Sequence, residues 1–272
     1  MSRLFSVLLG ALALAPSAGA LQGRIVEDSF ASKGLQGRLS FDVYLPPGYD
    51  TATMRYPVVY YLHGLPAGPR AFTSFGYVLS ALESDGRQAI VVAPQGARAG
   101  DPDSEYLDWE PGRRWETAVA AELPRVVDHR YRTLARRSGR AIVGISAGGY
   151  GAMTLGLQHL ETFGAIESWS GYFHPTDPRG TRTLSREPEA TATALLPVLQ
   201  AIPGSLRPFL GFYVGSDDAR FRADNVLFAR ALSRAGVPFT FRIYPGGHLQ
   251  SLWSSHAAEW FGLVLDHLDA PQ

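Results

Sequence analysis

The chain has 272 residues, 46% hydrophobic and 18% charged, which is enough apolar material for one large core. Its 25 Lys and Arg balance 25 Asp and Glu, so there is no net field to gather nucleic acid or an anionic membrane surface. Cysteine is absent, which excludes disulfides, thiolate metal ligands, a cysteine nucleophile and a lipidated N-terminal cysteine.

Arg3, an apolar run over 4–14, then Pro16 and Ala18-Gly19-Ala20 read as a secretory signal. Cleavage is expected after Ala20, with export to the periplasm or the medium and a mature chain of 21–272 forming a single catalytic domain. The apolar run falls short of the roughly 20 residues that span a bilayer, and no later stretch reaches that length, so no stable span is expected. Beyond residue 21, β-branched and aromatic runs at 39–45, 58–62, 89–93, 140–145, 165–170, 209–214 and 239–244 predict strands. Between and after them the pattern predicts helices over 75–82, 115–127, 149–160, 225–235 and 252–268. This alternation implies an α/β fold with a mostly parallel sheet, and the uniformly apolar strands imply helices on both faces.

Two stretches interrupt the alternation. Residues 97–114, rich in Gly, Pro and Asp, follow a strand end, which is where open α/β sheets bind ligands. Residues 172–207 carry Pro175, Pro178, Pro188, Pro197 and Pro203 with one predicted helix over 187–200, and connections this long commonly serve as lids or pocket walls.

Chemistry enters with Gly144-Ile145-Ser146-Ala147-Gly148, a serine between a predicted strand and a predicted helix. The helix N-terminus concentrates unpaired N–H groups and partial positive charge where an oxyanion needs them. A serine hydroxyl needs a base, and in the order Ser, acid, His the candidates are His174, His248, His256 and His267. Pro245-Gly246-Gly247 puts His248 on a loop just past a strand, whereas His256 and His267 fall in the last helix and His174 comes too soon after the nucleophile strand. The acid belongs at the end of strand 209–214, where Asp217 and Asp218 compete; neighbouring residues leave a strand in opposite directions, so only one can orient the imidazole. His63-Gly64-Leu65 after strand 58–62 matches an oxyanion-hole segment, with the N–H groups of Leu65 and Ala147 as donors; a tight turn around a buried histidine is the plainer reading of the same residues. The basic run Arg130, Arg132, Arg136, Arg137 and Arg140 reads as a solvated surface at the opposite end of the sheet. Neither a metal-ligand spacing nor a phosphate loop occurs, so no cofactor is implied.

Tyr44-Leu45-Pro46-Pro47-Gly48-Tyr49, Tyr56-Pro57-Val58 through His63-Gly64, residues 144–149, and Gly211 through Pro245-Gly246-Gly247-His248 together resemble the esterase D type of esterase. That family holds feruloyl and acetyl-xylan esterases, enterobactin-type esterases, S-formylglutathione hydrolases and mycolyltransferases. The resemblance implies an α/β-hydrolase fold and a serine carboxylic ester hydrolase working through an acyl-enzyme on Ser146, with His248 as base. Its acid stands three residues after the strand-end glycine, which from Gly215 gives Asp218. The implied substrate is a small-molecule or carbohydrate-linked ester, with no nucleic acid partner; oligomeric state is left open. An acyltransferase with a sugar or alcohol acceptor would use the same residues, and a non-catalytic binding protein on the same scaffold is disfavoured because all the parts are present in order. The family's aromatic residue two positions after the catalytic histidine is replaced here by Gln250, with Trp253 further on.

Overall fold

The computed structural model describes residues 21–176, 182–185 and 190–272. The expected export signal, 1–20, and the first residues of the helix predicted over 187–200 lie outside the described residues. The strands are β1 (Arg24–Ser32), β2 (Gly37–Leu45), β3 (Val58–Leu62), β4 (Ile90–Pro94), β5 (Arg140–Ile145), β6 (Ala165–Trp169), β7 (Phe209–Gly215) and β8 (Thr240–Tyr244). The helices are α1 (Gly76–Asp85), α2 (Leu123–Arg130), α3 (Ala147–Gln158), α4 (Leu196–Ala201), α5 (Arg222–Arg234) and α6 (Gln250–Asp266). The strands form one sheet in the order β1-β2-β4-β3-β5-β6-β7-β8. The first two joins, β1 with β2 and β2 with β4, are antiparallel, and every later pairing is parallel. This is the α/β-hydrolase fold expected.

Side chains alternate across the sheet, so each buried strand feeds two cores. Val58, Tyr60, Leu62, Ile142, Ile166, Leu210 and Phe212 face the layer that holds α2, α3 and α5. Val59, Tyr61, Val143, Trp169 and Tyr213 face the layer of α1 and α6. That is why β3 and β4, and β5 beyond Arg140, read as unbroken apolar runs. The sequence pattern missed β1, whose Arg24, Glu27 and Asp28 belong to an edge strand paired on one side only, with no apolar run to mark it.

Two helices depart from expectation. The stretch predicted over 115–127 opens as a wide π turn, Thr117–Glu122, before α2. Pro124 in the first turn of α2 supplies the reason: it has no N–H to donate and its ring would crowd the carbonyl of residue 120 in a regular helix. The helix predicted over 187–200 is a 3₁₀ turn, Ala192–Leu195, followed by the short α4, because Pro197 is tolerated only in a first turn.

The basic run lies at the end of the sheet opposite the strand tips, with Arg130 and Arg136 exposed and Arg140 buried, and its side chains tie neighbouring segments together. Arg130 pairs with Asp28 at 2.7 Å and Arg136 with Asp269 at 2.7 Å. Arg137 donates to the carbonyls of Leu160 and Leu206, Arg132 to that of Tyr49, and Arg140 is buried against Asp128. A planar guanidinium with several donors can tie two segments at once, which composition alone does not reveal.

Trp260 of α6 is fully buried, its ring 5.0 Å from that of Tyr213, and its indole N–H donates to the Tyr244 hydroxyl at 3.0 Å. Trp260→Ala is expected to cost about 3–5 kcal/mol in a urea unfolding experiment by opening a cavity between α6 and the sheet.

Candidate active site

Ser146 separates β5 from α3 and holds φ +53°, ψ −123°, a left-handed backbone that a side-chain-bearing residue adopts only when its surroundings force it. Its N–H donates to the Trp169 carbonyl at 2.9 Å, and its own carbonyl accepts from Tyr150 at 3.0 Å. The flanking glycines are a steric necessity. A Cβ on Gly144 would stand 2.1 Å from the Gly148 carbonyl oxygen, and one on Gly148 would stand 2.1 Å from the Leu62 carbonyl oxygen. The tight turn thus needs both, and it aims the serine hydroxyl off the tip of the sheet.

Three strand tips converge there. His248, on the loop after β8, places Nε2 2.9 Å from Ser146 Oγ and Nδ1 2.7 Å from Asp218 Oδ2. The Asp218 carboxylate can only accept, so Nδ1 carries the proton and Nε2 is left to accept from the serine hydroxyl. Asp218 is 2% exposed. Burial by itself raises its pKa, but the hydrogen bond and charge attraction of His248, together with the N–H groups of Phe221 and Arg220, outweigh burial and hold it below the usual carboxylate range. Asp217 is exposed and accepts from Ser216 at 3.0 Å, facing away. Gly215 lets the histidine loop pass: a Cβ there would lie 2.2 Å from the Gly246 carbonyl oxygen.

The segment after β3 closes the other side. A Cβ on Gly64 would meet Ser146 Cβ at 3.3 Å, so this backbone runs directly beside the nucleophile candidate. Among the described residues, neither the Leu65 N–H nor the Ala147 N–H finds a hydrogen-bond acceptor. His63 fixes this segment from within. Its Nε2 lies 3.0 Å from the Gly96 N–H, which can only donate, so Nδ1 bears the proton and donates to the Gly64 carbonyl at 2.8 Å. Burial lowers its pKa despite the Gly64 carbonyl, so the ring stays neutral. The two readings of His63-Gly64-Leu65, oxyanion segment and buried histidine turn, describe one arrangement.

The other candidates stand apart. His174 pairs with Asp224 at 3.4 Å, His256 stacks on Tyr244 at 3.5 Å, and His267 bonds the Leu263 carbonyl at 2.8 Å. Within 97–114, Tyr106 donates its hydroxyl to the His63 carbonyl at 2.8 Å, and Glu105, which no motif marks, is buried against Tyr172. Phe221, which carries no motif, and Trp253, the aromatic residue noted beyond Gln250, both stand edge-on to His248, at 5.3 and 5.2 Å. Trp253 thus supplies an aromatic wall that Gln250 does not. Of the 172–207 connection, Tyr172 and Ala190 join Ala147, Tyr150 and Phe221 in one buried cluster beside the serine, with Leu65 packed against it.

The family model described as "Putative esterase" matches residues 32–260. Esterase Rv1288 of Mycobacterium tuberculosis is 25% identical over 237 residues, covering 76% of this chain and 52% of that protein. The chain therefore spans about half the length of that relative. The MPT51/MPB51 antigen of Mycobacterium bovis is 37% identical over 123 residues, 44% of this chain and 38% of the antigen. Among solved structures, a ferulic acid esterase is similar with a TM-score of 0.75 at 26% identity, over 92% of this chain and 100% of that one. An S-formylglutathione hydrolase from Agrobacterium tumefaciens shares the fold, with a TM-score of 0.76 at 22% identity over 92% of this chain and 98% of that one.

The neutral His63 makes stability depend on pH. Its folded pKa lies below the ordinary 6.5, so between the two values the unfolded chain binds a proton that the fold refuses. Stability is expected to fall as pH drops below about 6.5. His63→Gln should cost about 1–3 kcal/mol at pH 7.5 and lose this acid-side component, as read by urea unfolding at pH 7.5 and 5.

Proposed function

The chain belongs to the "Putative esterase" family, and we propose that it is a serine carboxylic ester hydrolase acting through an acyl-enzyme on Ser146, with His248 as base and Asp218 as the acid that orients it. The observation that carries this reading is the unbroken row from Asp218 through His248 to Ser146, at 2.7 and 2.9 Å. In the proposed reaction the Ser146 oxygen attacks the ester carbonyl carbon while its proton passes to His248 Nε2. The oxyanion that forms is met by the N–H groups of Leu65 and Ala147, which are fixed beforehand and need no reorganisation. Asp218 stabilises the imidazolium without taking its proton. Collapse of the intermediate breaks the ester C–O bond, and the leaving alcohol takes the proton from His248. Water, deprotonated by His248, then attacks the acyl-serine; collapse returns that proton to Ser146 and releases the carboxylic acid.

Residues 1–20 act as an export signal removed after Ala20, and 21–272 form one catalytic domain in which 172–207 walls the substrate site. The position of Tyr172 and Ala190 in the cluster beside Ala147 supports that last role. Among the described residues no helix is long and apolar enough to cross a membrane. The substrate is a small-molecule or carbohydrate-linked carboxylic ester.

Ser146→Ala is expected to abolish hydrolysis of an activated ester, a loss of at least about a thousandfold, and a fluorophosphonate probe should label Ser146 alone. Labelling at another serine, or near-native activity in the variant, would refute the assignment. Asp218→Asn is expected to lower kcat by orders of magnitude, as the analogous change does in chymotrypsin-like enzymes, whereas Asp217→Asn should cost roughly 1 kcal/mol of stability and little rate. The comparison is kcat for both variants on one ester, with circular dichroism to show that each is folded.

A further inference from the structure

The 97–114 loop turns inward through two successive left-handed residues, Glu105 at φ +50° and Tyr106 at φ +55°. Such backbone persists only where packing over-determines it, and it concentrates at functional sites. The turn buries Glu105 to 2% exposure. Its two carboxyl oxygens lie 2.7 and 2.6 Å from the Tyr172 hydroxyl, and its side chain also hydrogen-bonds Asp103. Tyr172 stacks on Tyr150 at 5.2 Å and packs against Phe221 at 4.7 Å. Phe221 in turn stands edge-on to His248 at 5.3 Å and donates its N–H to Asp218 Oδ1 at 3.2 Å.

We propose that Glu105 is a positioning residue of the esterase site: its hydrogen bonds hold the Tyr172 and Phe221 rings against His248, and so fix the imidazole between Ser146 and Asp218. This inference rests on the serine esterase reading and extends it to a residue that touches neither substrate nor the reacting atoms.

The Glu105–Asp103 hydrogen bond needs one proton between the two carboxyls, and the deeper burial of Glu105 places it there. The Tyr172 O–H donates to one Glu105 oxygen, and a protonated Glu105 can then donate to the Asp103 carboxylate; an ionised Glu105 has nothing to give Asp103. Burial, reinforced by the nearby Asp103 and opposed by the Tyr172 hydrogen bond, pushes the Glu105 carboxyl up to about 9. The titratable groups facing it are Asp103 and Tyr106 of its own loop, Tyr150 of α3, and Tyr172 after β6. All of these are acids. Ionisation at alkaline pH would set the Glu105 carboxylate against that of the half-buried Asp103, and the repulsion would displace Glu105 together with the Tyr172 ring it holds. Glutamine imitates the protonated form, since its amide N–H can donate to Asp103 while its carbonyl accepts from Tyr172.

The test is kcat and KM on a p-nitrophenyl ester from pH 6 to 10 for wild type, Glu105→Gln, Glu105→Leu and Tyr172→Phe. Thermal unfolding and fluorophosphonate labelling of Ser146 accompany each protein. Wild-type kcat is expected to fall on the alkaline side around pH 9 as Glu105 ionises. Glu105→Gln should rescue kcat at pH 7 to within about twofold of wild type and lack that alkaline fall. Glu105→Leu and Tyr172→Phe should lower kcat roughly 10- to 100-fold with KM little changed, because a misplaced base slows chemistry more than binding. Wild-type kcat in folded Glu105→Leu or Tyr172→Phe overturns the proposal, as does Glu105→Gln as slow as Glu105→Leu. Should Glu105→Leu fail to fold, Tyr172→Phe, which removes a single hydroxyl, decides. A wild type that fails to label at Ser146 overturns the esterase reading itself, whereas a labelled wild type beside an unimpaired Tyr172→Phe overturns the positioning role alone.

Discussion

The constraint on which the rest depends is steric, at the tips of the parallel strands. Ser146 occupies a left-handed backbone because β5 must reverse into α3 within one residue, and that reversal brings the chain against itself and against β3. Only glycine fits at Gly144 and Gly148, where a methyl would reach within 2.1 Å of a carbonyl oxygen. The same logic recurs at Gly215, where the histidine loop crosses the end of β7. Once these approaches are permitted, the sheet register does the remainder. The parallel strands β3, β5 and β7 end at the same edge, so Ser146 and Asp218 arrive within reach of His248, with Gly64 beside the serine.

Electrostatics then separates two buried carboxyls. Asp218 and Glu105 are each 2% exposed, so burial alone pushes both toward the protonated form. Asp218 faces an imidazole N–H and two backbone N–H groups, and these win, leaving it below the usual range. Glu105 faces a phenol and another carboxyl, and burial wins. Opposite protonation of two carboxyls in one site is the pattern by which proteins assign distinct roles to like groups. Phe221 links them physically, since it touches the imidazole, donates to Asp218 and packs on the tyrosine that holds Glu105.

The loops around the site are anchored rather than loose. His63 bridges Gly64 and Gly96, Tyr106 bonds the His63 carbonyl, and Asp101 gathers Arg113 and the Trp115 indole at the base of 97–114. Preorganised N–H groups stabilise developing charge only if the backbone bearing them does not relax, so this scaffolding belongs to the function proposed as much as the row of three side chains does.

Much of this protein was legible from the sequence because it depends on local pattern. Apolar runs located β3 and β5 to the residue, since strands buried on both faces admit little else, and the glycine at 144 follows from a clash within five residues, whereas that at 148 answers to the backbone of β3. The histidine could be selected because chain order and a glycine loop restrict which residue can reach a neighbouring strand tip. Charge-bearing β1 was invisible, for an edge strand gains its stability from a hairpin partner and not from its own apolarity. Choosing between Asp217 and Asp218 needed a family resemblance, because alternation says that one of two neighbours points inward but not which; the tertiary structure puts Asp218 on His248. Glu105 and Tyr172 lie 67 residues apart and carry no motif. Their meeting is decided only when a loop after β4 folds over the segment after β6, because side-chain contacts between distant segments are set by how the strands order and pack, which no local window of sequence contains.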